Sequence, residues 1–416
     1  MKELMLGVDY ADNVEHAFRS GELGDTPVIE AIMDDAAAAG MTSVAWRVSH
    51  LGKLTYRTRA GTAQDGHKAI RASLTPFGLI LQRIDPLEVA VRAAHERGLK
   101  LFVYYCLFDE AYLDLTTDEV SESDFGRLHP DMYWAHHSTK HCLRGVLSFG
   151  YPEVREYFGA LVREGLSYGV DGVYLDCGRT HAGANPIPVY GWAPQWTNPY
   201  LAYGYNEPDV ARYRAQYGEP PPVVQVTDTG GQEVGEAEDA WNRARGEGLT
   251  QFMREVRPLF APSGQELVVC FYPATYNGFN PGYQCRQILG HFHLDWPAWV
   301  DEDLVDGVRL NVDHRRFGYD DWVKDSSRIY AGAQARGKRV LVDGALDARV
   351  DQLADPPRPL PIRQEDDADY YFGLVEEMVT RMLSSSADGV FFYEHCNTDS
   401  RFWEAIRHAN ARAGTD

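Results

Sequence analysis

Acidic residues recur in this sequence where short apolar runs stop. Asp9 closes Leu4-Met-Leu-Gly-Val-Asp, Asp176 closes Val173-Tyr-Leu-Asp and Asp343 closes Val340-Leu-Val-Asp. Asp109 and Glu110 follow the run 100–108, Asp313 follows Val308-Arg-Leu-Asn-Val, and Glu394 follows Val390-Phe-Phe-Tyr. Carboxyl groups gathered at one face of a sheet can divide acid and base work. One gives a proton to a leaving oxygen while another attacks or activates water, the minimum equipment for glycosidic cleavage. The separation of such a pair decides retention or inversion, and sequence gives no distances.

Asp176 carries the clearest signal. In Gly169-Val-Asp-Gly-Val-Tyr-Leu-Asp176-Cys-Gly-Arg179 an apolar run ends on a carboxylate and breaks into a Gly-containing loop. A buried parallel strand presents an acid at its C-terminal end in this way. For the others the plainer roles are strong. Asp9 could cap the loop after it, Asp343-Gly344 reads as a turn, and Asp313 has Arg315 and Arg316 beside it for a salt bridge. Glu394 shares a period-2 face with Phe392, which would desolvate it and suit it to proton donation. Arg309, Asn311 and Asp313 also share one face, and a polar face on an interior strand must meet a cavity or a network.

The elements that must position these residues alternate regularly. Strands are expected over 4–10, 42–49, 100–108, 172–177, 266–273, 307–313, 339–345 and 389–395. Helical patterns fill 27–39, 86–97, 152–168, 239–260, 320–336 and 369–385, three of them opening with Pro in the first turn. Gly40, Gly98, Gly169, Gly337 and Gly389 precede strands as helix stops. Eight such units in 416 residues predict an α/β chain folded as one (β/α)8 TIM barrel over 1–416, with catalysis at the C-terminal ends of its strands. A doubly wound open sheet is the competing fold. It lacks a Gly-x-Gly-x-x-Gly after the first strand. No internal repeat beyond the βα period is visible.

Two connections exceed what a barrel needs: 109–150 after strand 3 and 178–238 after strand 4. The second is an aromatic insertion holding Tyr190, Trp192, Trp196, Tyr200, Tyr203 and Tyr205, expected to roof the pocket. Within it, residues 220–236 read as a mobile excursion. Sugars present apolar C–H faces, so Trp46, Trp192 and Trp196 are candidates for stacking on them. Asp9, Arg47, Tyr104, Arg179, Tyr272, Arg309 and Asp343, all near strand ends, would hold hydroxyls or an acidic group.

Forty basic against 61 acidic residues give a net charge of −21, which disfavours nucleic acid and anionic membranes as partners. No apolar stretch reaches transmembrane length, and the N-terminal apolar run is too short for a signal peptide. The six cysteines show no Cys-x-x-Cys and no zinc spacing, as expected of reduced thiols in the cytoplasm. The scattered histidines lack metal-ligand spacing, so neither a metal nor another cofactor is expected. Self-association as a homo-oligomer is left open.

His129-Pro-Asp-Met-Tyr133, Leu147-Ser-Phe-Gly-Tyr-Pro-Glu-Val-Arg-Glu-Tyr157 and the strand Gly169-Val-Asp-Gly-Val-Tyr-Leu-Asp176 follow in an order that resembles the glycoside hydrolase-like family 10 proteins. Asp295-Trp-Pro-Ala-Trp299 and the run to Gly307 are similar to that family's segment before strand 6. The segment 204–218 looks like an insertion of a bacterial branch. Gly150-Tyr-Pro stands where Asn-Pro is more usual. The resemblance implies a (β/α)8 barrel that hydrolyses glycosidic bonds of a small or oligomeric carbohydrate, with Asp176 its catalytic position. Strand-4 nucleophiles paired with strand-6 acids in α-galactosidase-like barrels make Asp313 the proton donor, with Glu394 as substitute. Two other classes compete: a metal-dependent sugar isomerase, epimerase or lyase, and a non-catalytic carbohydrate-binding barrel.

Overall fold

The computed structural model describes residues 2–66, 74–114, 119–177, 203–223, 236–262, 264–271, 294–310, 331–345, 350–351, 358–359, 368–395 and 400–413. Eight parallel strands close a barrel: β1 (Glu3–Asp9), β2 (Ser43–Arg47), β3 (Lys100–Cys106), β4 (Gly172–Asp176), β5 (Glu266–Phe271), β6 (Gly307–Leu310), β7 (Arg339–Ala345) and β8 (Gly389–Tyr393). Each pairs with its sequence neighbours, and β8 closes on β1 through Gly7 opposite Tyr393. The expected (β/α)8 fold is therefore present, and every expected strand is found.

Strand alternation separates two cores. Met5, Ala45, Phe102, Tyr104, Tyr174, Val268, Leu341 and Phe391 fill the barrel interior. Their neighbours in sequence, among them Leu6, Val44, Val103, Val173, Val269, Val340 and Phe392, face the helices. Both faces are buried, which is why these strands read as nearly continuous apolar runs.

The even strands start alike. Thr42 Oγ1 accepts from Leu4 N–H at 3.0 Å, and the carboxylates of Asp171, Asp306 and Asp388 accept from Leu101, Leu267 and Val340 N–H, each at 2.8 Å. Each of these residues precedes an even strand and ties down the odd strand before it. The next residue is small in every case: Ser43, Gly172, Gly307 or Gly389. A Cβ on Gly172 would lie 2.3 Å from Glu266 O and 2.6 Å from the Phe102 ring, so the interior has no room for one there. The barrel thus carries a two-strand repeat beyond the expected βα period, the fourfold layering of a filled barrel. Gly389, expected as a helix stop, belongs to this layer instead. Gly98 and Gly169 do end helices, at φ 71° and 76°.

Helices Thr26–Ala38, Pro86–Glu96, Pro152–Leu166, Glu236–Val256 and Ala368–Ser384 stand near their expected bounds. Residues 320–330 of another expected helix lie outside the described part. Helix Tyr10–Arg19 starts directly after β1, where a loop was expected. The connection after β3 folds into two antiparallel ribbons, Ala111–Asp114 with Glu119–Glu122 and Tyr133–Ala135 with Cys142–Leu147. In the insertion after β4, helix Glu207–Tyr217 ends on left-handed Gly218. Buried Asp209 anchors it, accepting from Ser148 Oγ at 2.7 Å and pairing with Arg212 at 2.9 Å. A Cβ at Gly150 would lie 2.6 Å from Asp209 Oδ1, so any side chain there would crowd the buried carboxylate. The expected mobile excursion falls mostly on residues 224–235, outside the described part.

Candidate active site

Asp9 and Arg47 are register partners on β1 and β2, and Arg47 in turn pairs with Tyr104 on β3. All three face inward at the C-terminal mouth. The Arg47 guanidinium bridges two carboxylates, bonding Asp9 through Nη1 and Asp109 through Nη2 at 2.7 Å, with all three side chains buried. Burial works against the Arg47 charge, but Asp9, Cys106, Tyr393 and Asp109 outweigh it and hold the guanidinium firmly protonated. Tyr393 OH donates to Asp9 Oδ2 at 3.2 Å, and His50 Nδ1 lies 3.9 Å from Asp9 Oδ1.

Asp176 ends β4 with only 2% of its surface exposed. Cys106 and Cys270 flank it in the register of β3 and β5. Tyr104 OH donates to its Oδ2. Burial, then the Asp176 charge, pushes the Tyr104 phenol well above its usual range, so it remains a donor. One layer down, the Tyr174 ring packs on Tyr104 with centroids 4.7 Å apart and stacks on Phe391 at 5.2 Å. Arg309 lies over Phe391 at 3.8 Å and donates from Nη1 to Tyr174 OH at 2.8 Å. The polar face expected on strand 6 does meet an interior network at Arg309; Asn311 and Asp313 lie outside the described residues.

Glu394 is buried just past the end of β8. The strand stops at Tyr393, so alternation no longer governs Glu394. Phe392, its expected companion, faces the helices, whereas the Glu394 carboxylate gathers with Asp9 and Asp12. One oxygen from each of these three acids lies within 4.8 Å of the others, a group able to hold a cation.

The structure thus brings Asp9, Arg47, Tyr104, Asp176, Arg309 and Glu394 to the upper interior. Trp46 is the exception. It is fully buried on the outer face of β2, its ring 4.9 Å from that of Tyr10, because a strand sends consecutive residues to opposite sides. With Arg47 pointing inward, Trp46 cannot stack on a sugar in the barrel. Asp343 lies on β7 in register with Phe391, and nothing is described of its side chain. Arg179, Trp192, Trp196, Tyr272 and Asp313 lie outside the described residues. Of the insertion's six aromatics, Tyr203 is buried and Tyr205 packs on Trp241 at 4.9 Å, so these two brace the protein itself. Among the described residues, Asp12, Tyr174 and Tyr393 belong to the site without having been candidates, and Asp109, noted only as an acid after strand 3, joins them. The inward parity of Tyr174 with Asp176 and of Tyr393 with Phe391 could have found the tyrosines. Asp12 and Asp109 join from outside the strands.

No protein-family model and no curated protein sequence matches the chain. Solved structures do. The catalytic domain of β-amylase from Paenibacillus polymyxa superposes with a TM-score of 0.55 at 11% identity, over 99% of this chain and 98% of its own. The PgaB (BpsB) glycoside hydrolase domain from Bordetella bronchiseptica gives 0.54 at 10%, with coverage of 99% and 98%. The α-L-fucosidase isoenzyme 2 from Paenibacillus thiaminolyticus gives 0.54 at 13%, covering 100% of this chain. The chain spans about half (49%) of that fucosidase. At such identities the likeness is one of fold, and the fold is the (β/α)8 barrel on which these glycoside hydrolases are built.

Proposed function

We propose that this chain is a glycoside hydrolase cleaving a small or oligomeric carbohydrate with two carboxyl groups. The observation that carries the reading is Asp176, buried at the C-terminal end of β4 with its carboxylate accepting a hydrogen bond from the Tyr104 phenol. A carboxylate so held suits a nucleophile or a base. Asp313 is our first proton donor and Glu394 the substitute, with Arg179, Trp192, Trp196, Tyr272 and Asp343 proposed around the sugar and the 178–238 insertion as roof. Cys142 and Cys177 carry free thiols, in keeping with a cytoplasmic protein.

A screen of aryl glycosides and natural oligosaccharides tests the activity. If Asp313 is the donor, Asp313→Asn slows substrates with poor leaving groups and spares activated aryl glycosides, whose departure needs no proton. The same signature in Glu394→Gln, with Asp313→Asn near wild type, moves the role to β8. The cluster of Asp9, Asp12 and Glu394 favours a second reading, a metal-dependent sugar isomerase, epimerase or lyase. In that case chelation abolishes turnover and a divalent ion restores it. Absence of cleavage across the screen, with sugars bound equally by wild type and Asp176→Asn, would leave a carbohydrate-binding barrel.

A further inference from the structure

Three interior tyrosines lie beneath the mouth, and each hydroxyl has a charged partner. Tyr393 donates to Asp9, Tyr174 accepts from Arg309, and Tyr104 donates to Asp176. Tyr104 stands apart because its partner is the acid assigned to chemistry. Its ring is fixed from below by Tyr174, which is itself pinned by Arg309. Arg47, the register partner of Tyr104, is committed to Asp9 and Asp109.

We propose that Tyr104 is a positioning residue: its hydroxyl sets the rotation of the Asp176 carboxylate, with Tyr174 and Arg309 as the buttress behind it. The proposal rests on the reading of Asp176 as nucleophile or base. It replaces the expectation that Tyr104 binds a substrate hydroxyl, since the phenol proton is already given to Asp176. A neutral donor suits this task. It orients the carboxylate without placing a full positive charge against it, so the reacting electrons stay available. The titratable groups that face Tyr104 are Asp176 and Tyr174 on β4, Cys106 on its own strand and Tyr393 on β8, with Arg47 alongside on β2.

The test is Tyr104→Phe, which keeps the ring and removes the donor, assayed on the aryl glycoside that the wild type turns over. Positioning predicts a kcat lowered about 10- to 100-fold with KM within about twofold. A raised KM with kcat unchanged would overturn the proposal and return Tyr104 to substrate binding. So would wild-type kinetics. Should Tyr104→Phe fail to fold, Tyr174→Phe serves. It keeps the ring against Tyr104 and loses only the Arg309 bond, so kcat must fall by a smaller factor with KM within about twofold, and a wild-type kcat overturns the proposal. Full turnover by Asp176→Asn would instead sink the reading of Asp176, whatever the tyrosine variants do.

Discussion

Glu110 is buried beside the ion triad, on the residue after Asp109, and accepts from Tyr157 OH at 3.2 Å. Burial pushes its carboxyl from an ordinary 4.5 up to about 7; bonds from Ser123 and Tyr157 oppose the rise and the Asp109 charge adds to it. Because the folded value lies above the unfolded one, the folded state holds the proton more tightly. The resulting stability is fully present below pH 4.5, declines from there and is gone above pH 7. A rise from 4.5 to about 7 corresponds to about 3 kcal/mol. With about 2.1 cal/mol/K of unfolding entropy per residue over 416 residues, that amounts to about 3 °C in Tm. Glu110→Gln keeps an acceptor for Tyr157 and removes the charge. Melting of both proteins from pH 4.5 to 8 should show the variant gaining on wild type as pH rises, by about 3 °C across the range. A difference in Tm that does not change with pH would refute the reasoning.

Other consequences follow from the same packing. Arg47→Met strands Asp9 and Asp109 in the interior, and losing one member of a buried ion network costs about 3–5 kcal/mol. Calorimetry should show Tm lower by about 5 °C, and the double variant Arg47→Met with Asp109→Asn should recover part of the loss. Gly150→Ala forces a methyl against the Asp209 carboxylate, at an overpacking cost of about 1–3 kcal/mol. Limited proteolysis should find helix Glu207–Tyr217 more readily cut in that variant than in wild type.

Much of the barrel was legible because its devices are local. Apolar runs on strands buried on both faces, proline at helix starts and glycine at helix stops are all written within a few residues. The two-strand repeat was also written, as Asp171-Gly172, Asp306-Gly307 and Asp388-Gly389, but the Thr42-Ser43 member disguised it. Its purpose is visible only when each side chain meets the strand before it. Trp46 was misassigned by residue type: Arg47 and Trp46 cannot both face the barrel, and counting parity from Asp9 through the register with Arg47 was needed to choose. Glu394 escaped parity because the strand ends one residue earlier. The Asp9–Arg47–Asp109 triad joins residues 38 and 62 apart in sequence, and no periodicity within a strand announces such a contact.

The central claim is that Asp176 performs chemistry at the mouth of this barrel. Its most direct test is the turnover of Asp176→Asn beside its melting curve, on any glycoside that the wild type cleaves. Asp176→Asn should show a kcat at least about 100-fold lower with Tm within about 2 °C of wild type, since asparagine keeps the volume and an acceptor for the Tyr104 hydroxyl. Full activity in Asp176→Asn would contradict it.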